Sequence, residues 1–198
     1  MLIIKLSAVF LAGCLLAGAA SAEPAASSLN GQWATGCLPT GKNGRHGYVA
    51  RVTIADGRIE AVYQQYARNS CDVPTVRKNF TGEILRQSGE GDHVDVDYAV
   101  RGLTMTLNGR DVVDFYNKAM AETPNCEKIE WRENETVPID GKICGPVSFP
   151  ASGTRLFDRA WIEGGRLRLG AFMANWNNIS ADKRPSVPLE AAYSRTGG

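Results

Sequence analysis

The chain has 198 residues, of which 43% are hydrophobic and 22% charged, and its formal net charge at pH 7 is +1. A chain of this length can bury a substantial core. Because basic and acidic side chains nearly balance, the surplus of Lys and Arg that neutralises phosphates in nucleic-acid-binding domains is missing. We therefore predict a folded domain without a nucleic-acid partner.

Residues 1–22 have the pattern of a secretory signal peptide. Lys5 supplies the positive start, residues 6–18 are largely apolar and uncharged, and residues 20–22 form a small-x-small cleavage site. The alternative is a lipobox that ends at Cys14 and would leave this residue as a lipidated N-terminus. We predict an exported protein, periplasmic or secreted, from a Gram-negative bacterium.

The sequence after residue 22 predicts no membrane-spanning helix. No run after residue 22 approaches the roughly 20 consecutive apolar residues that a transmembrane helix needs. Residues 23–28 are small or polar and lack periodicity, which indicates a disordered spacer. We predict one disulfide-bonded domain over residues 29–198.

Four cysteines follow the predicted cleavage site, namely Cys37, Cys71, Cys126 and Cys144. In an exported chain an even number indicates disulfides, and four cysteines allow three connectivities. The economical choice pairs cysteines within each half of the chain, Cys37 with Cys71 and Cys126 with Cys144. A zinc site is the alternative, although the chain has no C-x-x-C spacing.

Strand patterns fill the first half of the chain. Alternating apolar residues at 48–54 and 59–63 flank Asp56 and Gly57, and this is the strongest short-range signal for a β-hairpin. Gly82 lies inside a further strand, where it indicates a bend or a close approach of the backbone. The predicted strands of this half are 31–37, 48–54, 59–63, 76–86, 93–100 and 103–107.

The period changes after Asn108. Apolar residues recur at helical spacing and predict one short helix at 111–121, capped by Asn108 or Asp111 and ended by Pro124. Beyond the helix we expect strands again, with a tight Gly-Gly turn at 164–165. These strands are 127–132, 136–144, 155–162, 166–172 and 188–195, with irregular chain at 174–186. The whole pattern predicts a mainly β fold, an antiparallel lipocalin-like barrel or half-barrel with one short helix.

The start of the first strand carries the motif Leu29-x-Gly31-x-Trp33. At the opening of an antiparallel barrel, this motif resembles the calycin superfamily, which includes the lipocalins and avidins. The resemblance implies that Trp33 packs across the barrel floor against a basic residue of the last strand. Arg195 occupies the matching position.

A longer pattern follows from the same start. Its members after Trp33 are Cys37, Tyr63, Tyr66, Cys71, Pro74 and the segment Gly82-Glu83-Ile84-Leu85. Over residues 29–107 this pattern resembles the repeated extracellular domain of the adenomatous polyposis coli down-regulated family, whose members antagonise Wnt ligands. The resemblance implies a half-barrel with a lipid-accommodating pocket. Because the signal segment looks bacterial, we carry over the fold and the pocket and leave out the signalling role.

The segment Gly31-Gln32-Trp33 also resembles the opening of the bacterial inhibitors of secreted alkaline metalloproteases, small periplasmic barrels with one disulfide. This resemblance implies an N-terminal segment that inserts into a protease cleft, a role that residues 23–29 would take here. A protein-binding module that acts through this segment, or through residues 174–186, is therefore the alternative to small-molecule binding.

His93, Asp95 and Asp97 lie on one face of a predicted strand, and imidazole and carboxylate groups are ligands for divalent cations. The favoured interpretation is a solvated polar face, with a metal-assisted enzyme as a second alternative. The chain has no Gly-x-Ser-x-Gly motif, and its histidines are limited to His46 and His93. We therefore predict no enzyme activity, catalytic residue, metal or cofactor.

The predicted function is the binding of a hydrophobic or lipid-like small molecule inside the barrel. A barrel of about eight strands either fills its interior or holds one small ligand. Tyrosines place polar tips in an apolar lining, which favours a pocket. The residues predicted to line this pocket are Tyr48, Val52, Tyr63, Phe80, Tyr98, Met105 and Trp161.

Overall fold

The computed structural model describes residues 29–172 and 176–197. The predicted signal peptide at residues 1–22 and the predicted spacer at 23–28 lie outside the described residues. Within the described ranges, no helix is long and apolar enough to cross a membrane.

The described chain contains twelve β-strands and one α-helix. The strands are β1 (Gly31–Ala34), β2 (Leu38–Thr40), β3 (His46–Ala55), β4 (Arg58–Tyr66), β5 (Pro74–Glu90), β6 (His93–Leu107), β7 (Thr136–Pro138), β8 (Ile143–Cys144), β9 (Val147–Ser148), β10 (Arg155–Glu163), β11 (Arg166–Leu169) and β12 (Ala192–Thr196). Helix α1 spans Arg110–Glu122.

Eight of these strands close an antiparallel barrel. Around the wall the order is β1, β12, β11, β10, β6, β5, β4 and β3, and β3 pairs with β1 to complete the circle. β2 extends the wall beside β3, β7 pairs with β6, and β8 and β9 form a separate ribbon. The predicted mainly β antiparallel barrel with one short helix is confirmed, and the barrel is closed rather than a half-barrel.

The first hairpin follows from its two turn residues. Asp56 and Gly57 have φ values of 51° and 73°, and they join β3 to β4 with Ile54 opposite Ile59. Positive φ at both positions matches the right-handed twist of the flanking strands. The alternation of β3 then directs Val52 and Ile54 into the core, where they are buried. This hairpin is confirmed as predicted.

β5 and β6 form the longest ladder, and two register shifts interrupt it. Gly82 pairs with Val100, and Arg101 is the extra residue at the register shift, so β6 runs on through the break predicted there. A Cβ on Gly82 would lie 2.7 Å from Phe80 Cε1 and 3.2 Å from the carbonyl oxygen of Ala99. The predicted close approach at Gly82 is therefore present.

Residues 108–154, named here the cap insertion, connect β6 to β10 outside the barrel wall. Helix α1 packs against the core through Val113, which is buried. Trp131 fixes the helix, since its indole N–H donates to Met120 Sδ at 2.8 Å and its backbone N–H donates to Asn117 Oδ1 at 3.0 Å. β7 pairs with the outer half of β6 and attaches the insertion to the barrel.

Two strands predicted in the cap insertion are wrong in extent. Residues 127–132 form no strand, and the predicted strand 136–144 is reduced to Thr136–Pro138 and Ile143–Cys144. Both segments contain apolar residues at the alternating spacing of a strand. The backbone there is irregular, and these apolar side chains pack against the helix and the barrel.

The start of α1 also differs from the prediction. The helix begins after Gly109, whose φ is 99°, and no side-chain hydrogen bond caps it. The Asn108 side chain donates instead to Asn134 Oδ1 at 3.0 Å, so neither Asn108 nor Asp111 acts as the cap. The end of the helix at Thr123, before the proline, agrees with the prediction.

Three further strands are shorter than predicted. β1 ends at Ala34, β11 ends at Leu169, and β12 begins at Ala192. The predicted Gly-Gly turn before β11 is confirmed, with φ values of 57° and 77°. Beyond β11 the backbone N–H of Ala171 donates to Asp158 Oδ1 at 2.9 Å, which turns the chain into the barrel instead of along its wall.

The barrel floor lies where β1 begins. The indole N–H of Trp33 donates to the carbonyl oxygen of Leu29 at 2.8 Å, and both residues are buried. Arg195 lies opposite Trp33 in the ladder between β1 and β12, with its guanidinium carbon 4.4 Å from the ring centroid. The contact expected between Trp33 and Arg195 is therefore present. A cation–π contact of this kind contributes about 0.5–1 kcal/mol at an exposed site.

Two disulfides reinforce the fold. Cys37 bonds Cys71 across 34 residues of sequence, and Cys126 bonds Cys144 across 18. The first joins the chain after β1 to the loop between β4 and β5, and the second lies within the cap insertion. Both predicted pairings are confirmed. Disulfides form and persist in oxidising compartments, so they point to export.

Candidate functional site

Side chains fill the centre of the barrel. Phe172 enters from the chain after β11, with its ring centroid 5.0 Å from that of Phe80 and 5.8 Å from that of Tyr98. Trp176 stacks on Phe80 at 6.0 Å. The void left beside Val52 and Tyr98 measures about 20 Å³, enough for little more than one water molecule. Val52, Phe80 and Tyr98, predicted to line a ligand pocket, pack in the core instead.

The barrel opens beyond this filled centre, at the end opposite Trp33. The opening, named here the mouth cavity, has a volume of about 330 Å³. Its lining residues are Thr40, Tyr48, Tyr63, Gln65, Lys78, Phe172, Leu189, Ala191 and Tyr193. The volume falls at the lower end of the range for small-molecule sites. Of the predicted ligand-binding residues, Tyr48 and Tyr63 lie here.

Three tyrosines give the mouth cavity its polar tips. The rings of Tyr48 and Tyr63 stack with their centroids 5.0 Å apart. Burial, and then the neighbouring Tyr48, raise the pKa of Tyr63 to about 12. Burial raises the pKa of Tyr48 and of Tyr193 as well, with the exposed Glu190 carboxylate adding to the effect at Tyr48. All three groups therefore stay protonated at neutral pH and keep an O–H donor.

A second cavity lies between the barrel wall and the cap insertion, and is named here the cap cavity. Its volume is about 260 Å³. The lining residues are Lys78, Met105, Tyr116, Met120, Glu127, Ile129, Trp131, Ile139, Lys142, Ile143, Cys144, Val147 and Phe149. Most of this lining is apolar, and its charged residues are Lys78, Glu127 and Lys142. Glu127 and Lys142 pair with each other, since Lys142 Nζ lies 2.7 Å from Glu127 Oε2. Met105, a predicted ligand-binding residue, lines this cavity.

Lys78 belongs to both cavities. It faces inward on β5, in one cross-strand row with Tyr63 and Met105. Its ammonium nitrogen lies 5.6 Å from the ring centroid of Tyr63 and 6.0 Å from that of Phe149. Burial lowers the pKa of this ammonium group. The side chain therefore brings a positive charge to the junction of the two cavities.

Trp161 lies on the outer face of β10, contrary to the prediction that it faces a ligand. Leu156, Asp158 and Ala160 point into the barrel, and the alternation of the strand directs Trp161 the other way. Its ring centroid lies 6.1 Å from that of His93, its partner on β6. The prediction failed because this strand carries apolar side chains on both faces.

The predicted cation cluster on β6 is an ion-pair network. Arg159 Nε lies 2.7 Å from Asp95 Oδ1, Arg155 Nη2 lies 2.6 Å from Asp97 Oδ2, and Arg184 contacts both carboxylates. Burial alone would raise the pKa of Asp97, but the hydrogen bonds from Arg184 and Arg155 hold this pKa below its usual value. The face is thus partly buried and neutralised by arginines, and the expectation of a solvated polar face is wrong.

His93 stands at one end of this network. Its Nδ1 lies 2.9 Å from Asp92 Oδ1, and its Nε2 lies 3.7 Å from Asp95 Oδ1. Among the described residues, no three His, Cys, Asp or Glu side chains are grouped so that they could hold a metal ion. The other histidine, His46, directs Nδ1 to the carbonyl oxygen of Ala67 at 2.8 Å. Neither histidine lines the mouth cavity or the cap cavity.

Asp158 is a buried acid beneath the mouth. Its side chain points into the barrel, and its residue exposure is 2%. Oδ1 accepts the backbone N–H groups of Arg159 at 2.8 Å and Ala171 at 2.9 Å, while Oδ2 has no hydrogen-bond partner in the described part of the chain. Burial raises the pKa of this carboxyl to about 6, against the lowering effect of the backbone hydrogen bonds.

A larger concavity of about 600 Å³ lies on the outer surface, beside the turn between β3 and β4. Its lining is dominated by exposed polar and charged side chains, including the ion pair of Arg101 with Glu83. No aromatic side chain is among its lining residues, whereas small-molecule sites are lined mainly by hydrophobic and aromatic side chains. The mouth cavity and the cap cavity are therefore the better candidate site.

Sequence reasoning missed several residues of this site. Lys78 could have been found, because it lies in phase with Val76 and Phe80 on the inward face of β5. Tyr193 and Phe172 had weaker signals, since one lies in a short closing strand and the other follows a strand that ends early. The apolar anchors of the cap insertion gave no signal that would place them against the barrel.

Comparison of the chain with protein-family models and with curated proteins found no match.

Proposed function

We propose that this protein is an exported binding protein that holds a hydrophobic, lipid-like small molecule at the mouth of its barrel. The observation that carries the proposal is the meeting of the mouth cavity and the cap cavity at Lys78. Their volumes, about 330 Å³ and about 260 Å³, suit a small ligand, and their linings combine apolar walls with a few polar groups.

The filled barrel centre supports this placement of the ligand. With Phe172 seated against Phe80 and Tyr98, the core is packed without the ligand, and binding does not have to supply the folding energy. The site is then built from side chains at the end of a rigid wall. A binding role rather than a catalytic one is also supported by the position of both histidines outside the two cavities.

The proposed relationship to the calycin superfamily has its own support. The barrel has eight antiparallel strands, and Trp33 and Arg195 make the floor contact that the resemblance implies. The proposed periplasmic location is supported by the two disulfides.

Native mass spectrometry of the protein purified from the exported fraction would test the proposal. We expect a bound small molecule that organic solvent releases, and saturable binding of the neutral dye N-phenyl-1-naphthylamine to the extracted protein. A protein that carries no small molecule and does not bind the dye would contradict the proposed function.

Replacing either of two alanines with tryptophan tests whether the ligand binds in the mouth cavity. Ala191→Trp fills the mouth cavity and should weaken dye binding by about tenfold or more, because the side chain occupies the space of the ligand. Ala55→Trp adds the same group at an exposed position at the end of β3 and should leave binding unchanged. Equal effects of the two substitutions would show that the dye binds elsewhere.

A further inference from the structure

The charge of Lys78 has no counter-ion within residues 29–172 and 176–197. Among the residues that the structure describes, its ammonium group forms no hydrogen bond and no ion pair, and its closest recorded partners are the rings of Tyr63 and Phe149. Glu127, the acidic group in the cap cavity lining, is paired with Lys142 at 2.7 Å. A partly buried charge is costly unless a group of opposite sign compensates it.

Hydrogen-bond donors surround the same point. Tyr48, Tyr63 and Tyr193 line the mouth cavity, and within the described chain their hydroxyl groups have no hydrogen-bond partner. Because these tyrosines keep their protons at neutral pH, each presents an O–H donor. One cation and several donors in a confined space form a site suited to an anion.

The cap cavity differs from the mouth cavity in the character of its walls. Met105, Met120, Ile139 and Phe149 are among its side chains, and its charged pair of Glu127 and Lys142 is self-neutralised. A flexible apolar chain would be accommodated here, since methionine side chains adapt to irregular shapes. The polar end of the site is thus the mouth, and the apolar end is the space beneath the cap insertion.

We propose that the ligand is a single-chain amphiphile with a carboxylate head group, whose head pairs with the Lys78 ammonium and the mouth tyrosines while its alkyl chain occupies the cap cavity. This inference rests on the proposed function and deepens it by naming the ligand class. The single ammonium charge at the junction of the two cavities matches one negative charge on the head group.

Isothermal titration calorimetry with two probes of equal chain length tests the inference. Dodecanoate and dodecanol, both below their aggregation limits, share the alkyl chain and differ in the charge of the head. The wild-type protein should bind dodecanoate about tenfold or more tightly than dodecanol, as expected when a hydrogen bond to a charged group is added. Equal affinities would overturn the inference and leave the proposed function standing, whereas binding of neither probe would contradict the proposed function itself.

Lys78→Met removes the charge and retains a flexible side chain of similar length. This variant should bind the two probes equally, through loss of affinity for dodecanoate alone, and its circular dichroism spectrum should match that of the wild type. Lys128→Met removes an exposed lysine outside both cavities and should keep the wild-type preference. A preference for dodecanoate that survives in Lys78→Met would overturn the inference. If this variant fails to fold, the wild-type comparison of the two probes still decides.

Discussion

Asp158→Asn should stabilise the protein at neutral pH. The substitution removes a buried negative charge but keeps Oδ1, which accepts the backbone N–H groups of Arg159 and Ala171. Burial raises the pKa of the carboxyl from 3.8 to about 6, so the native state holds the proton more tightly than the unfolded chain does. The ionised carboxylate therefore opposes folding when the pH lies above 6.

The magnitude follows from the two pKa values. The difference between 3.8 and about 6 corresponds to about 3 kcal/mol of unfolding free energy. Because the folded-state pKa is the higher one, stability is fully retained below the unfolded pKa and falls as the pH rises through the folded pKa. The advantage of Asp158→Asn over the wild type should thus be about 3 kcal/mol at pH 8, should fall as the pH is lowered, and should vanish below about pH 3.

Urea denaturation of both proteins between pH 2 and pH 8 measures this difference directly. Asp97→Asn serves as the control with the opposite sign, because hydrogen bonds from Arg184 and Arg155 lower the pKa of Asp97. That variant should be least stable relative to the wild type at neutral pH and should approach it as the pH falls below 4. A difference between Asp158→Asn and the wild type that stays constant across this range would refute the reasoning.

Three further predictions concern stability in urea. Arg184→Met leaves two carboxylates without this partner and should cost about 3 kcal/mol at pH 7; a loss below about 1 kcal/mol would mean that water replaces the arginine. The pair Cys37→Ser and Cys71→Ser opens a link across 34 residues and should cost about 4 kcal/mol by loop entropy, and an unchanged denaturation midpoint would contradict this. Gly82→Ala places a Cβ against the Phe80 ring and the Ala99 carbonyl oxygen and should cost about 2 kcal/mol. Gly36→Ala, with no atom within 4 Å of the added carbon, should change stability by less than about 0.5 kcal/mol. Equal effects of the two substitutions would contradict the role of close packing at Gly82.

The barrel could be predicted because its wall depends on local patterns. Strict alternation in β3 and β4, with a two-residue turn of positive φ between them, determines the hairpin and its register. The floor contact between Trp33 and Arg195 was expected from the resemblance to the calycin superfamily, and these two residues from opposite ends of the chain pair directly in the closed barrel. The hairpin could be predicted because the residues that determine it are close together in the sequence.

The cap insertion was harder to predict because its backbone is irregular. Ile129 and Trp131 recur with the spacing of a strand, but their side chains serve as anchors between α1 and the barrel wall. Short-range periodicity does not distinguish a ladder from such a sequence of anchors. Helix α1 was predicted well, since its apolar stripe is read from one segment alone.

The candidate site was found in part, for a similar reason. Tyr48, Tyr63 and Met105 were placed correctly at a cavity by inward alternation. The same rule failed for Trp161, because β10 buries side chains on both of its faces. It also could not show that Phe172 fills the barrel centre, which depends on a turn held by a distant carboxylate.

The placement of the two disulfides has a consequence for how a ligand would enter. One bond joins segments of the barrel and the other lies wholly within the cap insertion, so neither ties the insertion to the wall. The attachment includes the pairing of β7 with β6 and the Thr106 to Thr136 contact at 2.8 Å. Further backbone hydrogen bonds join the insertion to β6, among them Ile139 N–H to the Leu103 carbonyl oxygen at 2.9 Å and Gly153 N–H to the Val100 carbonyl oxygen at 2.8 Å. We expect the cap insertion to lift as a preformed unit without breaking a covalent bond. The rates of ligand entry and release would then depend on the contacts between the cap insertion and the barrel wall. The affinity for the ligand would depend on the side chains that line the two cavities.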